Sequence, residues 1–377
     1  MKKKQITVLL MSILTCVSVV GCTIPGIDVM DGDGMINENL VPDPVKPSEK
    51  DNDDEQKPND VLEIIDSDAI IDSFVNNESK AKFDHVLYDE DDYLTLDEMV
   101  DAKAQYIMKD FYFEEPTYAA TVYFADIDCG NDGVRDLGIK IEYEFDRHED
   151  YNQFFSEEYI FMVMDDELKC IKGVESYYRS EGYINEYGYI NEGGSAGAAC
   201  YISKGSFVNE KGEVISDYYC ETNLGYSAPS IPAYSLTEEI REYAPVEVYY
   251  TGDESEELYT TTVYNIEKAP DYPQLTYDEN YVLDDKSQKL YEQYDRDSNE
   301  WVSKNFFTIT DSEGNDVAIE GDLKSFADSF NVVIVTEQEA WAIIDDHRKT
   351  VGLSDTIEQG ADPAWSEIKT YSGEKAR

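Results

Sequence analysis

Apolar residues fall into three regimes along this chain. They run together up to about residue 21, thin out over 22–62, and from about 63 alternate with polar residues at helical and strand spacings. In the third regime Ile64–Val75 has the spacing of a short amphipathic helix. Thr95-Leu96-Asp97-Glu98 has the form of a capping box, and the helix it opens lines up Met99, Val100, Lys103, Ile107 and Phe111 before Pro116 ends the stretch. Alternation rich in Val, Ile, Tyr and Phe predicts strands at Thr117–Ile127, Val134–Phe145, Tyr159–Met164, Leu168–Tyr178 and Tyr183–Asn191. Ala199–Val208 and Glu213–Cys220 flank a turn at Asn209-Glu210-Lys211-Gly212 and read as a hairpin. A short helix at 236–243, strands at Val246–Tyr250, Leu258–Ile266, Trp301–Thr310 and Asn331–Val335, and a helix at 322–330 follow. The last helix is capped by Thr336 with Glu339. Ala340, Ile343, Ile344 and Val351 form its apolar side, joined by Trp341. His347, Arg348 and Lys349 suit the dipole of its final turn, and Gly352 stops it.

This order predicts an α+β fold, a mainly antiparallel β-sheet with peripheral helices and no parallel βαβ rhythm. A helical segment, 63–113, packs on an α+β body, 114–352, and 353–377 reads as a loose C-terminal tail.

Composition changes the picture at one point, charge. The 377 residues include 82 acids and 30 Lys and Arg, a net charge of −52. That field excludes nucleic acid as a partner and opposes electrostatic docking on anionic lipid. Hydrophobic residues make up 41%, enough for a real core rather than a disordered chain.

The first regime is an address. Lys2, Lys3 and Lys4 precede an apolar run, Ile6 to Val20, too short for a membrane span of about 20 residues. Residues 1–21 read as a signal peptide. Its end, Val19-Val20-Gly21-Cys22, resembles the lipobox of bacterial lipoproteins, with Val19 where that family prefers Leu. The resemblance implies cleavage before Cys22 and a diacylglycerol on its sulfur, which anchors the protein to the cell membrane facing outside the cytoplasm. The alternative is an ordinary signal peptide cut elsewhere. Residues 22–62, rich in Pro and Asp, read as a disordered acidic tether. Within it Asp31–Asn37 looks like the middle of a calcium loop, but Val29 and Leu40 fall at the end positions, where ligands belong.

The most distinctive motif is an acidic turn between strands, Asp126-Ile127-Asp128-Cys129-Gly130-Asn131-Asp132-Gly133-Val134-Arg135-Asp136. It resembles the calcium-binding turns of FG-GAP and VCBS repeats. The resemblance implies Ca2+ held by Asp126, Asp128, Asp132 and Asp136, although two extra residues part Asp128 from Asp132. The competing reading is a metal-free turn stitched by Asx hydrogen bonds. The segment Phe74–Lys82, the capped helix and this turn together resemble a group of Gram-positive surface lipoproteins, over about residues 63–200, which implies secretion and lipid anchoring.

Gly182-Tyr183-Ile184-Asn185-Glu186 recurs as Gly188-Tyr189-Ile190-Asn191-Glu192. The even shift keeps strand parity, so Tyr183, Asn185, Tyr187, Tyr189 and Asn191 share one face and Ile184 and Ile190 the other. Tyrosine rings stack on the C–H faces of sugars and amides bond their hydroxyls, which makes the row a candidate glycan site; the other reading is cross-strand aromatic packing. Cys200 and Cys220 flank the hairpin turn and are the candidate disulfide, against free buried thiols. HExxH does not occur, and the three histidines, His85, His148 and His347, stand apart. The expectation is an extracellular, non-catalytic binding module for a polymer or glycan, with an envelope protein as another partner. Two other readings stand beside it: an acidic structural lipoprotein without a specific ligand, and a two-carboxylate carbohydrate hydrolase.

Overall fold

The computed structural model describes residues 66–83, 92–110, 117–145, 153–177, 179–197, 199–243, 257–273, 275–276 and 282–374. The signal peptide, Cys22, the tether, His85, His148, Phe111, Pro116 and the strand expected at Val246–Tyr250 lie outside the described residues.

Helices begin where the capping chemistry puts them. Asp66 accepts from Ala69 N and opens α1, Ser67–Val75. Two short strands follow, β1 (Ala81–Phe83) and β2 (Asp92–Leu94). Thr95 and Glu98 exchange the two bonds of the capping box, 3.3 and 2.9 Å, at the start of α2, Leu96–Asp110. The apolar alternation then delivers β3 (Thr117–Ile127), β4 (Asp136–Phe145), β5 (Gln153–Met164) and β6 (Glu167–Ser176) as a meander. Together with β1, β2 and the late strand β14 (Ser366–Glu374) they form the seven-stranded sheet I, in the order β14-β3-β4-β5-β6-β1-β2.

Sheet II comprises β7 (Ser180–Ile184), β8 (Tyr189–Gly197), β9 (Cys200–Val208), β10 (Val214–Tyr226), β11 (Tyr259–Asn265), β12 (Phe306–Thr310) and β13 (Val333–Ile334), in reverse sequence order. The helices are α3 (Glu238–Tyr243), α4 (Asp285–Val302), α5 (Gly321–Phe330), α6 (Glu337–Val351) and α7 (Asp355–Glu358), and β14 is Ser366–Glu374. Every named pairing is antiparallel except β1–β6 and β12–β13, so the fold is α+β and sheet-dominated, as the alternation predicts.

The helices α1 and α2 bury Ile71, Phe74, Met99, Val100, Ala104 and Met108 against Val122, Ile139, Ile141, Tyr143 and Phe161 of sheet I. Lys103 sits on this buried side because Glu157 and Glu175 each meet its ammonium at 2.6 Å. Their charges hold its pKa up against burial. A second cluster joins the two sheets. Ile127, Ile160, Met162 and Val174 of sheet I meet Ile184, Ile190 and Val208 of sheet II, with Trp365 against them.

Three expectations change. Residues 353–377 are not a loose tail: α7 packs Leu353 and Ile357 under Tyr189 and Phe207, and β14 then pairs with β3 from Ser366 to Glu374. The segment alternates weakly because an edge strand buries little of itself. Glu63–Arg377 accordingly forms one compact unit rather than a segment, a body and a tail. The predicted strand from Trp301 starts instead at Phe306, because Trp301 belongs to α4. Leu290, Tyr291, Tyr294, Trp301 and Val302 recur there at helical spacing, and Ser287 is the buried residue of α4. Tyr183–Asn191, expected as one strand, is a hairpin.

Candidate functional site

The repeat folds back on itself. β7 ends at Ile184, the turn runs through Asn185-Glu186-Tyr187-Gly188, and β8 starts at Tyr189. Gly188 adopts φ 76°, which only glycine takes without cost. Tyr183 then lies opposite Asn191, and Ile184 opposite Ile190. The two isoleucines enter the inter-sheet core, while Tyr183 and Asn191 share the outer face.

That face leads into a cleft of about 370 Å³, lined by Tyr183, Asn185, Tyr189 and Asn191 from the hairpin, Tyr218 and Trp341 beside them, and Gln359 and Asp362 from the crossing segment. The structure thus brings together four of the five Tyr and Asn residues singled out by the repeat. Tyr187 is half-buried against the α7 cluster.

Their roles divide. Asn185 is 4% exposed and saturated. Its amide nitrogen donates to Ile357 O at 2.6 Å and Glu358 O at 3.3 Å, and its oxygen accepts from Tyr187 N and Tyr189 N at 2.9 Å each. It is a pillar of the turn, and the outward orientation expected of it gives way to that task. Tyr189 is buried too; its hydroxyl donates to Asp217 at 2.7 Å, and burial pushes its pKa up. Tyr183, by contrast, is 47% exposed, and among the described residues no side chain bonds its hydroxyl or the amide of Asn191.

The floor is braced by a β-bulge. Between β9 and β10 the register shifts at Asp217, which turns its carboxylate fully inside. Arg348 grips it with two bonds of 2.8 Å and holds Glu358 at 2.8 Å as well. Trp341 lies two turns before Arg348 on α6 and packs edge-on to Tyr218 at 5.9 Å. Sequence reasoning read Trp341 as part of the apolar side and Arg348 as a dipole partner. The seven-residue spacing that puts both on one helix face was the available signal. Gln359 and Asp362 lay in the presumed tail.

The same bulge decides the cysteines. The expected pairing of Cys200 with Cys220 assumed strands symmetric about the turn. The turn instead closes on Val208 and Val214, and Asp217 adds one residue, so Cys220 faces Ser203 and Cys200 faces Asn223. An odd offset sends the two thiols to opposite faces of the sheet, beyond reach of a disulfide. Both are free, and burial pushes their pKa up to about 12 and about 11.

The acidic turn docks on the hairpin turn. Asp128 N donates to Glu186 O at 2.8 Å, and Gly130 N to Tyr187 O at 3.2 Å. Asp128 accepts from Asp132 N and Gly133 N, and Asp132 from Val134 N. Asp126 pairs with Arg135 at 2.6 Å. Asp136 is buried and accepts from Cys129 N at 3.0 Å; burial pushes its pKa up to about 7. Asp126 lies opposite Leu137 and Asp136 opposite Ile127, so the two carboxylates leave opposite faces of the sheet. Among the described residues no three His, Cys, Asp or Glu gather as metal ligands.

His347 gives its ring nitrogen to Ser216 O at 2.9 Å, a structural contact at the bulge. No protein-family model, curated protein or solved structure matches this chain.

Proposed function

We propose that this protein is lipid-anchored at Cys22 on the outer face of the cell membrane and that its folded unit binds an extracellular glycan in the Tyr183–Asn191 cleft. One observation carries the reading: the repeat folds so that an exposed tyrosine ring and an unengaged amide flank a concave site that also contains Trp341 and Gln359. Aromatic rings offer a face for sugar C–H groups, and amides offer both a donor and an acceptor for hydroxyls. The tether places that cleft away from the bilayer. Calcium enters the reading only if Asp128 and Asp132 release the backbone amides they now hold.

The test is a glycan array with the mature chain, in calcium and again in chelator. Binding to defined glycans that falls at least tenfold in Tyr183→Ala and in Trp341→Ala supports the reading. A blank array in both buffers sinks it and returns the protein to an acidic spacer role. Loss of binding in chelator alone would show that the acidic turn rearranges around calcium.

A further inference from the structure

The cleft is open along sheet II. Register puts Tyr183, Asn191 and Gly205 on one level, Glu181, Gly193 and Ser203 on the next, and Ser195 and Tyr201 on the third. Strand parity turns all eight toward the outer face. Gly193 lies one strand and one level from Tyr183, and Tyr201 one strand and one level further on the same diagonal. With strands about 4.8 Å apart and a rise of about 3.3 Å per residue, the two phenols stand about 16 Å apart. Tyr183 is 47% exposed and Tyr201 46%. Between them lie Gly193 and Ser203, flanked by Glu181 and Asn191 and bordered by the Tyr218 hydroxyl, which meets Ser203 Oγ at 2.9 Å.

Charge narrows the occupant. Arg348, at the cleft end, is neutralised by Asp217 and Glu358. Glu181 stands beside Gly193 at mid-diagonal and Asp362 lines the cleft, against one further cation, Arg179, held on Ser195 Oγ and Gly197 O. An anionic polymer would meet these carboxylates within a chain of net charge −52.

We propose that Tyr183, Gly193 and Tyr201 form a platform for a linear, uncharged, ribbon-like polysaccharide that runs from the Trp341 cleft across sheet II. The proposal rests on the glycan reading and adds length, direction and charge. Two spaced rings on a flat face suit an extended chain, and a glycine between them lets the chain lie close.

The experiment is calorimetry of the mature chain with cello-, xylo- and chito-oligosaccharides of two and six sugars, and with oligogalacturonate as the charged control. The expected result is that six sugars bind at least tenfold tighter than two. Tyr201→Ala removes that gain and leaves the short ligand unchanged, whereas Tyr183→Ala weakens both. If Tyr201→Ala leaves the long ligand untouched while Tyr183→Ala abolishes binding, the platform is wrong and the cleft stands. Tighter binding of oligogalacturonate overturns the charge argument. Concentration-dependent dimerisation lost in Tyr201→Ala makes a second copy the occupant instead. No binding by any oligosaccharide removes both the platform and the glycan reading.

Discussion

The acidic turn and the tyrosine hairpin touch, yet they use their polar groups in opposite ways. In the turn, Asp128 and Asp132 hold backbone amides, Asp126 holds Arg135, and Asp136 holds Cys129 N. In the hairpin, Asn185 and Tyr189 are consumed in the same manner, but Tyr183 is left facing solvent and, among the described residues, no side chain bonds the half-buried Asn191 amide. A motif dense in functional groups is therefore not a site until its internal demands are subtracted. In the turn little remains, because a tight loop exposes many N–H groups and carboxylates are the nearest acceptors. In the hairpin the strand ladder satisfies the backbone by itself, so side chains beyond the turn are free to face outward.

The sharpest way to break this comparison is to part the two regions. A Cβ on Gly188 would lie 2.8 Å from Cys129 Sγ, at a φ of 76°. Gly188→Ala is expected to destabilise the fold by about 3 kcal/mol, from overpacking and left-handed strain together. Urea denaturation measures it. An unchanged midpoint would mean that the acidic turn does not rest on the hairpin.

A second test separates pillar from surface within the hairpin. Asn185→Ala strands the buried Ile357 carbonyl, the part-buried Glu358 carbonyl and the amides of Tyr187 and Tyr189, and should cost about 2 kcal/mol. Tyr183→Ala should move the midpoint by less than about 0.5 kcal/mol, since an exposed ring leaves no cavity. Equal losses would show that Tyr183 is packed rather than presented, and would remove the main support for the cleft.

How much of this was legible in the sequence follows from the same subtraction. Period-two alternation placed β3 and β4 closely, and the capping boxes at Thr95 and Thr336 placed α2 and α6, because those signals are local. The Gly-Tyr-Ile-Asn-Glu repeat marked the cleft residues, but parity alone could not tell a strand from a hairpin that folds at Gly188. The bulge at Asp217 was invisible, since the Arg348 that receives its carboxylate lies 131 residues away. Trp341 reaches the cleft through the packing of α6 on β10, and Gln359 and Asp362 through the crossing of the last segment between the sheets. Such long-range placement leaves no local period to read.

The smallest effect probes whether the turn's buried carboxyl is tolerated rather than used. Burial lifts Asp136 from an ordinary 3.8 to about 7, against the Cys129 amide that favours its charged form, while Asp132 and Asp128 add repulsion. A raised folded-state value means that the protonated acid stabilises the fold. That contribution is complete below about pH 4 and is lost as pH rises through about 7. Asp136→Asn keeps an acceptor for Cys129 N and carries no charge. The variant should match the parent near pH 4 and exceed it at pH 8 by on the order of 1 kcal/mol, a difference smaller than the full shift because the native amide bond is retained. Paired urea curves at the two pH values cancel the general repulsion of so acidic a chain. If the parent is instead the more stable at pH 8, the ionised carboxylate is doing something the hydrogen-bond pattern does not account for. Calcium would then be the first addition to make, because a bound cation would reverse the sign at this position.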